Sequence, residues 1–421
     1  MRARPLLPPA LGKKKEALAS LLRSALGSGL EVAAVEALPG DASDRRYYRL
    51  RLEGGGAARP QAKRQLSRPL LASRGSKKVG PFAPPGCRRA PRWPGAQGNA
   101  ILMESDSPPG PEPFLNVRAF LELKGLPVPS LYGADGEEGL VLLEDSGEET
   151  LEECLRREPH RAEALYEQAL ELLLTLQERC TEVSEPDSGH PCRALRYAFD
   201  ADTFAGELHH TRRFAFEGLL GLRAPAEEWE EDFRWLAQAL VGNPSAPARW
   251  GPLAGRPKRQ AAWRPLATPP LVFTHRDYHS RNLLVRPDGE LALLDFQDAR
   301  LGPPLYDLAS LLFDAYRRPI GELSERLARR FREGSPGARA SGRKDAFDRA
   351  LRLAGLQRDL KAIGTFAYQK LVRGTDRYLP AIGAATLLVR EHLEHLPEAR
   401  GFARRLAPIL DRLAQFSGED G

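Results

Sequence analysis

His275, Arg276 and Asp277 follow a run rich in β-branched and aromatic side chains, and Asn282 comes five residues after Asp277. Asp295 stands farther on, at the head of Asp295-Phe296-Gln297. A carboxylate placed like Asp277 can orient a hydroxyl nucleophile and accept its proton. An amide oxygen and a second carboxylate, those of Asn282 and Asp295, are hard oxygen donors suited to a magnesium ion that bridges triphosphate oxygens. A lone His-Arg-Asp tripeptide would say little. The tripeptide, the spaced Asn and the later Asp-Phe-Gln, in that order, point to phosphoryl transfer onto a hydroxyl.

These side chains need elements that bring them together. Leu283–Val285 and Leu291–Leu294 read as short strands around a Pro-Asp-Gly turn, a hairpin that would return Asp295 to the side of Asn282. Near the start, Leu18, Leu21, Leu22, Ala25 and Leu26 share one face of a helix over 13–28. VAAVEALPG and YYRLRLE then read as strands joined by the polar turn GDASDRR, AILM at 100–103 resumes a strand, and 114–125 is a short helix. GLVLLEDSG at 139–147 is an apolar strand running into a polar connector. Beyond it the period is helical over 150–158, 161–183, 202–221 and 226–241, and again over 305–332, 344–372 and 380–416. A β-rich front, one connector and a helical back predict an α+β protein in two lobes, a small one over 1–143 and a large helical one over 144–421. Two Pro- and Arg-rich stretches without apolar period, at about 54–100 and about 244–266, read as insertions, the first as disordered.

The spacing H-x-D-x4-N followed by D-F is the catalytic signature of the protein-kinase-like phosphotransferases. The sequence resembles the aminoglycoside phosphotransferase superfamily, and most closely its cell-wall sugar branch, the N-acetylmuramate/N-acetylglucosamine 1-kinases. HRDYHSRNLLVRPDGELALLDFQDARLGPPLYDLASLL (275–312) carries most of the likeness. GDASDRRYYRL (40–50), VLLEDSG (141–147) and LQRDLKAIGTFAYQKLVRGTDRYL (356–379) also look like family segments. The resemblance implies a protein-kinase-like two-lobed fold, ATP and Mg2+ as cofactors, and a small-molecule substrate. The substrate it favours is an amino sugar phosphorylated at its anomeric hydroxyl, for cell-wall sugar salvage.

Carried over position by position, the resemblance makes Asp277 the catalytic base and Asn282 and Asp295 the metal ligands. His279, two residues after the base, falls where family members contact the transferring phosphoryl group. Asp307 matches a position read as structural, capping a helix start or tying the catalytic loop in place. Gly40 to Ser43 falls at the nucleotide-covering turn: Gly40 permits the turn, Ser43 offers donors to phosphate, and Arg45 or Arg46 adds a charge. The connector around Leu143 and Asp145 is implied to bind the adenine edge through its backbone. Glu207 and His210 are candidates for contact with the sugar, with surface placement as the other reading. The chain departs from the kinase pattern at the third strand, where Met103 or Glu104 stands in place of a Lys. Lys63, Lys77 and Lys78 of the first insertion are candidates for that phosphate grip.

The net charge of +6 and pI near 9.2 come from the insertions. Residues 54–103 hold ten Lys/Arg and 243–273 hold five, with no acid in either, while the rest of the chain has 47 basic against 56 acidic side chains. A globally basic binding face is thereby excluded, and no nucleic-acid partner is expected. Trp93, Trp250 and Trp263 in the insertions could stack on bases, but low-complexity sequence is the plainer reading. The longest stretch without a charged residue or His is Trp235 to Ala248, fourteen residues, too short to span a bilayer. Four cysteines without a CxxC pair give no disulfide framework or zinc site, so a reduced, cytoplasmic protein is expected. His392 and His395 read as a solvated helix face. Two rivals stand beside the sugar kinase: an aminoglycoside or amino-alcohol kinase, and a nucleotide-binding pseudokinase or scaffold whose basic insertions recruit an anionic partner. The oligomeric state is left open.

Overall fold

A computed structural model describes residues 8–26, 30–38, 45–54, 97–105, 110–181, 192–241, 271–339 and 343–416. Gly40 and Ser43 lie outside the described residues, as do Lys63, Lys77, Lys78, Trp93, Trp250 and Trp263 with the bodies of both insertions. The chain divides into two compact units. One comprises Met1–Glu148 with Arg286–Asp288 and Ala292–Gln297; the other comprises Glu149–Val285, Gly289–Leu291 and Asp298–Gly421.

The first unit is an antiparallel sheet with helices. Its strands are β1 (Glu31–Ala37), β2 (Arg46–Glu53), β3 (Gln97–Glu104), β4 (Leu131–Asp135) and β5 (Leu140–Glu144), in the order β1-β2-β3-β5-β4. Gln97–Asn99, read from composition as the end of the insertion, instead belong to β3, where Gln97 pairs with Glu53 and Asn99 with Arg51. Ladder pairing outweighs their weak strand propensity. Helices α1 (Pro9–Lys13), α2 (Lys15–Leu26) and α3 (Glu112–Leu123) complete this unit. The apolar stripe of α2 closes over Leu50, Leu52, Ala100, Leu102 and Leu142. Each fully buried Leu there contributes about 1.5–3 kcal/mol, which fixes the face each strand presents.

The second unit holds β6 (Glu149–Thr150), α4 (Leu151–Arg157), α5 (Ala162–Cys180), α6 (Ala201–Thr211) and α7 (Ala226–Val241). Two strands follow, β7 (Val272–Thr274) and β8 (Leu283–Val285), and later β10 (Arg300–Gly302); β9 (Leu291–Leu293) begins in this unit and ends in the first. The remaining helices are α8 (Tyr306–Leu312), α9 (Gly321–Gly334), α10 (Pro336–Arg339), α11 (Lys344–Arg373), α12 (Leu379–Glu394) and α13 (Arg400–Leu413). The predicted helix over 305–332 is thus two helices, with Pro319 between them; the one over 380–416 breaks at His395–Pro397, where Pro again cannot continue the ladder. The predicted helix 202–221 changes character at Arg212 and runs as a π-helix to Leu219. No helix among the described residues is long and apolar enough to cross a membrane.

The thirty-residue α11 is the axis of this unit and packs against α6, α8 and α12. It approaches the end of α6 so closely that a Cβ on Gly364 would lie 2.6 Å from Thr211 Cα, and the Thr211 hydroxyl donates to Leu360 O at 2.7 Å. Gly364→Ala should therefore destabilise by about 1–3 kcal/mol through overpacking, although alanine is the better helix former. Urea denaturation measures this. A variant as stable as the parent would mean that the two helices part freely.

Candidate active site

The loop after β7 carries Asp277, and it is held in an unfavourable backbone conformation. Arg276 has φ +84°, and among the described residues only Asp295, at +57°, shares a positive φ without being glycine. Such a residue costs on the order of 1–3 kcal/mol and persists where its surroundings over-determine it. Asp307, on the first turn of α8 and fully buried, accepts the N–H of His275 at 2.6 Å and the N–H of Arg276 at 3.0 Å. Seven residues on, Asp314 accepts the N–H of Ser280 at 2.8 Å and that of Tyr316 at 2.9 Å. Two carboxylates from α8 and its exit thus clamp both ends of the loop. Burial pushes the Asp307 carboxyl up to about 7, against the two N–H donors that favour its charged form.

Between the clamps, His279 N donates to Asp277 O at 3.1 Å, and Asn282 Nδ2 donates to the same carbonyl at 2.9 Å. That bond occupies the amide nitrogen and so fixes which end of Asn282 has oxygen to offer a cation. The Asp277 carboxylate is reached by a residue 84 positions away: Lys361 Nζ on α11 lies 2.7 Å from Oδ1. Burial alone would raise the Asp277 pKa, but the charges of Lys361, Arg276 and Arg358 outweigh it and hold the carboxyl well below the usual carboxylate range. His279 is the reverse case. Burial, reinforced by the Arg358 charge, keeps its pKa well below that of ordinary imidazole, so the ring is neutral near pH 7. Its Nδ1 has no hydrogen-bond partner among the described residues.

Glu207 and His210 lie on α6 beside this loop. Glu207 accepts Arg276 Nη2 at 2.9 Å with one oxygen and Gln357 Nε2 at 2.9 Å with the other. It braces the strained Arg276. His210 is half-buried, with its ring 4.5 Å from Phe214 and 5.7 Å from Tyr368, and burial lowers its pKa. Phe214 sits in the π-helix, so the irregular turn carries one ring of this aromatic group.

Four more sequence candidates belong to the sheet unit, each placed there by its own neighbours. Asp295 accepts Gln297 Nε2 at 2.6 Å, and Phe296 stacks on Phe114 of α3 with centroids 5.1 Å apart. Leu143 is buried in the ladder opposite Ile101 and Leu131. Asp145 accepts Arg49 Nε at 2.8 Å, and the same guanidinium reaches Gly147 O at 3.2 Å, tying the connector to β2. Arg45 is partly buried just ahead of β2. Neither residue at the missing-Lys position is free to grip phosphate. Met103 is fully buried, and Glu104 is buried between Arg46 at 2.9 Å and Lys14 at 3.3 Å.

One expectation fails. His392 is not on a solvated face: it is fully buried, with Nε2 2.9 Å from Asp359 and its ring edge-on to Phe313 at 4.5 Å. The polar neighbours Glu391 and Glu394 suggested a wet face, but α12 packs that side against α11. His395 is exposed, as expected.

Residues 93–344 match the profile of the phosphotransferase enzyme family, more than half of the chain. The chain belongs to this phosphotransferase family. The N-acetylmuramate/N-acetylglucosamine kinase of Pseudomonas aeruginosa is 31% identical over 327 residues, covering 76% of this chain and 85% of the relative. The kinase of the same name from Pseudomonas putida is 27% identical over 331 residues, covering 76% and 85%. An ethanolamine kinase from Plasmodium vivax superposes with a TM-score of 0.50 at 10% identity, covering 86% of this chain and 82% of that one, a likeness of fold. The fold is accordingly the protein-kinase-like α+β fold, and this phosphotransferase acts on a hydroxyl acceptor.

Lys361, Arg358 and Asp314 were missed from the sequence. For the two α11 residues a signal existed: Gln357, Arg358 and Lys361 fall within about one turn of a long helix, and Gln357 and Arg358 are buried. Polar side chains at core positions of a phosphotransferase helix point at something that needs them. Asp314 gave no such signal.

Proposed function

We propose that this phosphotransferase moves the γ-phosphate of ATP to the anomeric hydroxyl of an N-acetylated amino sugar of the N-acetylmuramate/N-acetylglucosamine kind, in cell-wall sugar salvage. The observation that carries the reading is the Asp277 carboxylate, paired with Lys361 at 2.7 Å, within a chain 31% identical over 76% of its length to a kinase named for those sugars. Asp277 orients the acceptor hydroxyl and takes its proton as the oxygen–phosphorus bond forms. His279, neutral and with an unengaged ring nitrogen, offers a polar contact to the phosphoryl group or the sugar. His210 with Phe214 and Tyr368 offers ring faces to the sugar. On the nucleotide side the assignment rests on sequence position: Gly40, Ser43 and Arg45 for phosphate, and the backbone at Leu143 and Asp145 for the base. Magnesium, which keeps most of its ligands as water and phosphate oxygen, would be held by Asn282 and Asp295 and would neutralise phosphate charge.

The charges around Asp277 disfavour the aminoglycoside alternative. Glu207 and Asp277 are already paired with Arg276 and Lys361, so these two carboxylates are not free to hold a polycationic acceptor. The test is ADP release with N-acetylmuramate, N-acetylglucosamine, their 1-O-methyl glycosides, kanamycin and ethanolamine. Turnover is expected with the two free sugars only. Equal turnover of the methyl glycosides would move the reaction to another hydroxyl, and turnover of kanamycin or ethanolamine alone would overturn the substrate class.

A further inference from the structure

We propose that Lys361 is the cation that meets the phosphoryl group in transfer, released to it when Asp277 accepts the acceptor's proton. This rests on the reading of Asp277 as the base. Lys361 is 13% exposed, with Nζ 2.7 Å from a carboxylate oxygen of Asp277, whose side chain is 30% exposed. An acceptor hydroxyl within hydrogen-bond reach of that carboxylate places the reacting oxygen and phosphorus next to Nζ.

The other cations near Asp277 have fixed work. Arg276 is held by Glu207 at 2.9 Å. Arg358, buried, donates its Nε to Ser310 Oγ. Arg281 pairs with Glu152 at 2.5 Å and lies 3.6 Å over the Tyr316 ring. His279 is neutral. Lys361 differs because its partner changes charge during the reaction.

The acceptor O–H bond breaks as its oxygen bonds to phosphorus, and the proton goes to Asp277. The bond from phosphorus to the bridging oxygen of ADP breaks, and its electron pair leaves with ADP. Once Asp277 is protonated it no longer neutralises Lys361, and the ammonium turns to the oxygens of the group in transfer. An ammonium has three rotatable donors and can make that change without moving its helix. The interaction therefore strengthens from ground state to transition state, which is what accelerates a reaction.

Lys361→Met and Lys361→Arg decide the matter, with three readouts: kcat and ATP KM on amino sugar, slow hydrolysis of ATP by water, and calorimetric affinity for ADP with and without aluminium fluoride. Lys361→Met should lower kcat by on the order of 10²–10³-fold, the usual loss for one donor to a developing anion, with ATP KM within about threefold. ADP should bind as before, while the gain in affinity from aluminium fluoride disappears, and Lys361→Arg should recover at least about a tenth of kcat. A Met variant that keeps both the fluoride gain and its kcat overturns the proposal. So does one that loses ADP affinity in step with kcat, since the lysine would then grip the ground-state nucleotide. If circular dichroism shows the Met variant unfolded, Lys361→Gln is read in the same way. If the parent protein phosphorylates no amino sugar, the hydrolysis and fluoride readouts still decide for Lys361, and only the acceptor reading falls.

Discussion

Asp277→Asn is expected to lower kcat by on the order of 10²–10⁴-fold while leaving ATP affinity within about threefold. The substitution preserves shape, so the bonds from His279 and Asn282 to the Asp277 carbonyl survive and the loop stays in place. What is lost is the anionic oxygen that Lys361 faces at 2.7 Å. An amide cannot take the acceptor's proton, and it leaves the ammonium without its partner in a partly buried site. Because Lys361, Arg276 and Arg358 hold the carboxyl ionised, Asp277 gives up its charge only as the proton is driven off the acceptor in the transition state. Its contribution combines orientation with late proton transfer, and the loss corresponds to about 3–5 kcal/mol of barrier. Steady-state kinetics with calorimetry of ATP binding checks it. Turnover near the parent rate would remove Asp277 from the chemistry.

The loop residues were legible because phosphoryl transfer needs particular groups at a particular spacing. Asp277 and Asn282 must be close in sequence for one turn to present both. The sheet was legible for a different reason: alternation in Tyr48, Leu50 and Leu52 marks one buried face. The supports of the site were harder to see. Lys361 acts from 84 positions away, and Asp314 is one acid among many until α8 is folded beside the loop. Glu207 was found as a polar residue near the acceptor side, but its bonds to Arg276 and Gln357 depend on how α6 meets α11. His392 shows the limit of periodicity. A helix polar at 390–392 and 394–395 reads as wet, yet one His turns inward because Asp359 waits there as a partner. Pairing across helices leaves no trace in the spacing along either one.

Asp307→Ala should be the most damaging substitution for stability, by about 2–5 kcal/mol near pH 6, because it leaves two buried backbone N–H groups without acceptors. One of them is the N–H of Arg276, whose φ of +84° persists only while the loop is anchored, so activity should fall further than the loss of folded protein explains. The pH dependence gives a separate handle. The Asp307 carboxyl is pushed up to about 7 by burial, against about 3.9 in an unfolded chain, so the folded state favours the protonated form. Stability from this group is then full below about pH 4 and is lost as pH rises towards 7. Asp307→Asn cannot titrate and keeps one acceptor oxygen. It should be destabilised less than the Ala variant, and its denaturation midpoint should change less between pH 5 and pH 8 than the parent's does. Urea midpoints of the three proteins at those two pH values test both claims. If parent and Asn variant shift equally, the titrating group lies elsewhere. If the Ala variant is as stable as the parent, the loop holds its strained turn without Asp307, through the Arg276–Glu207 pair and the Asp314 clamp alone.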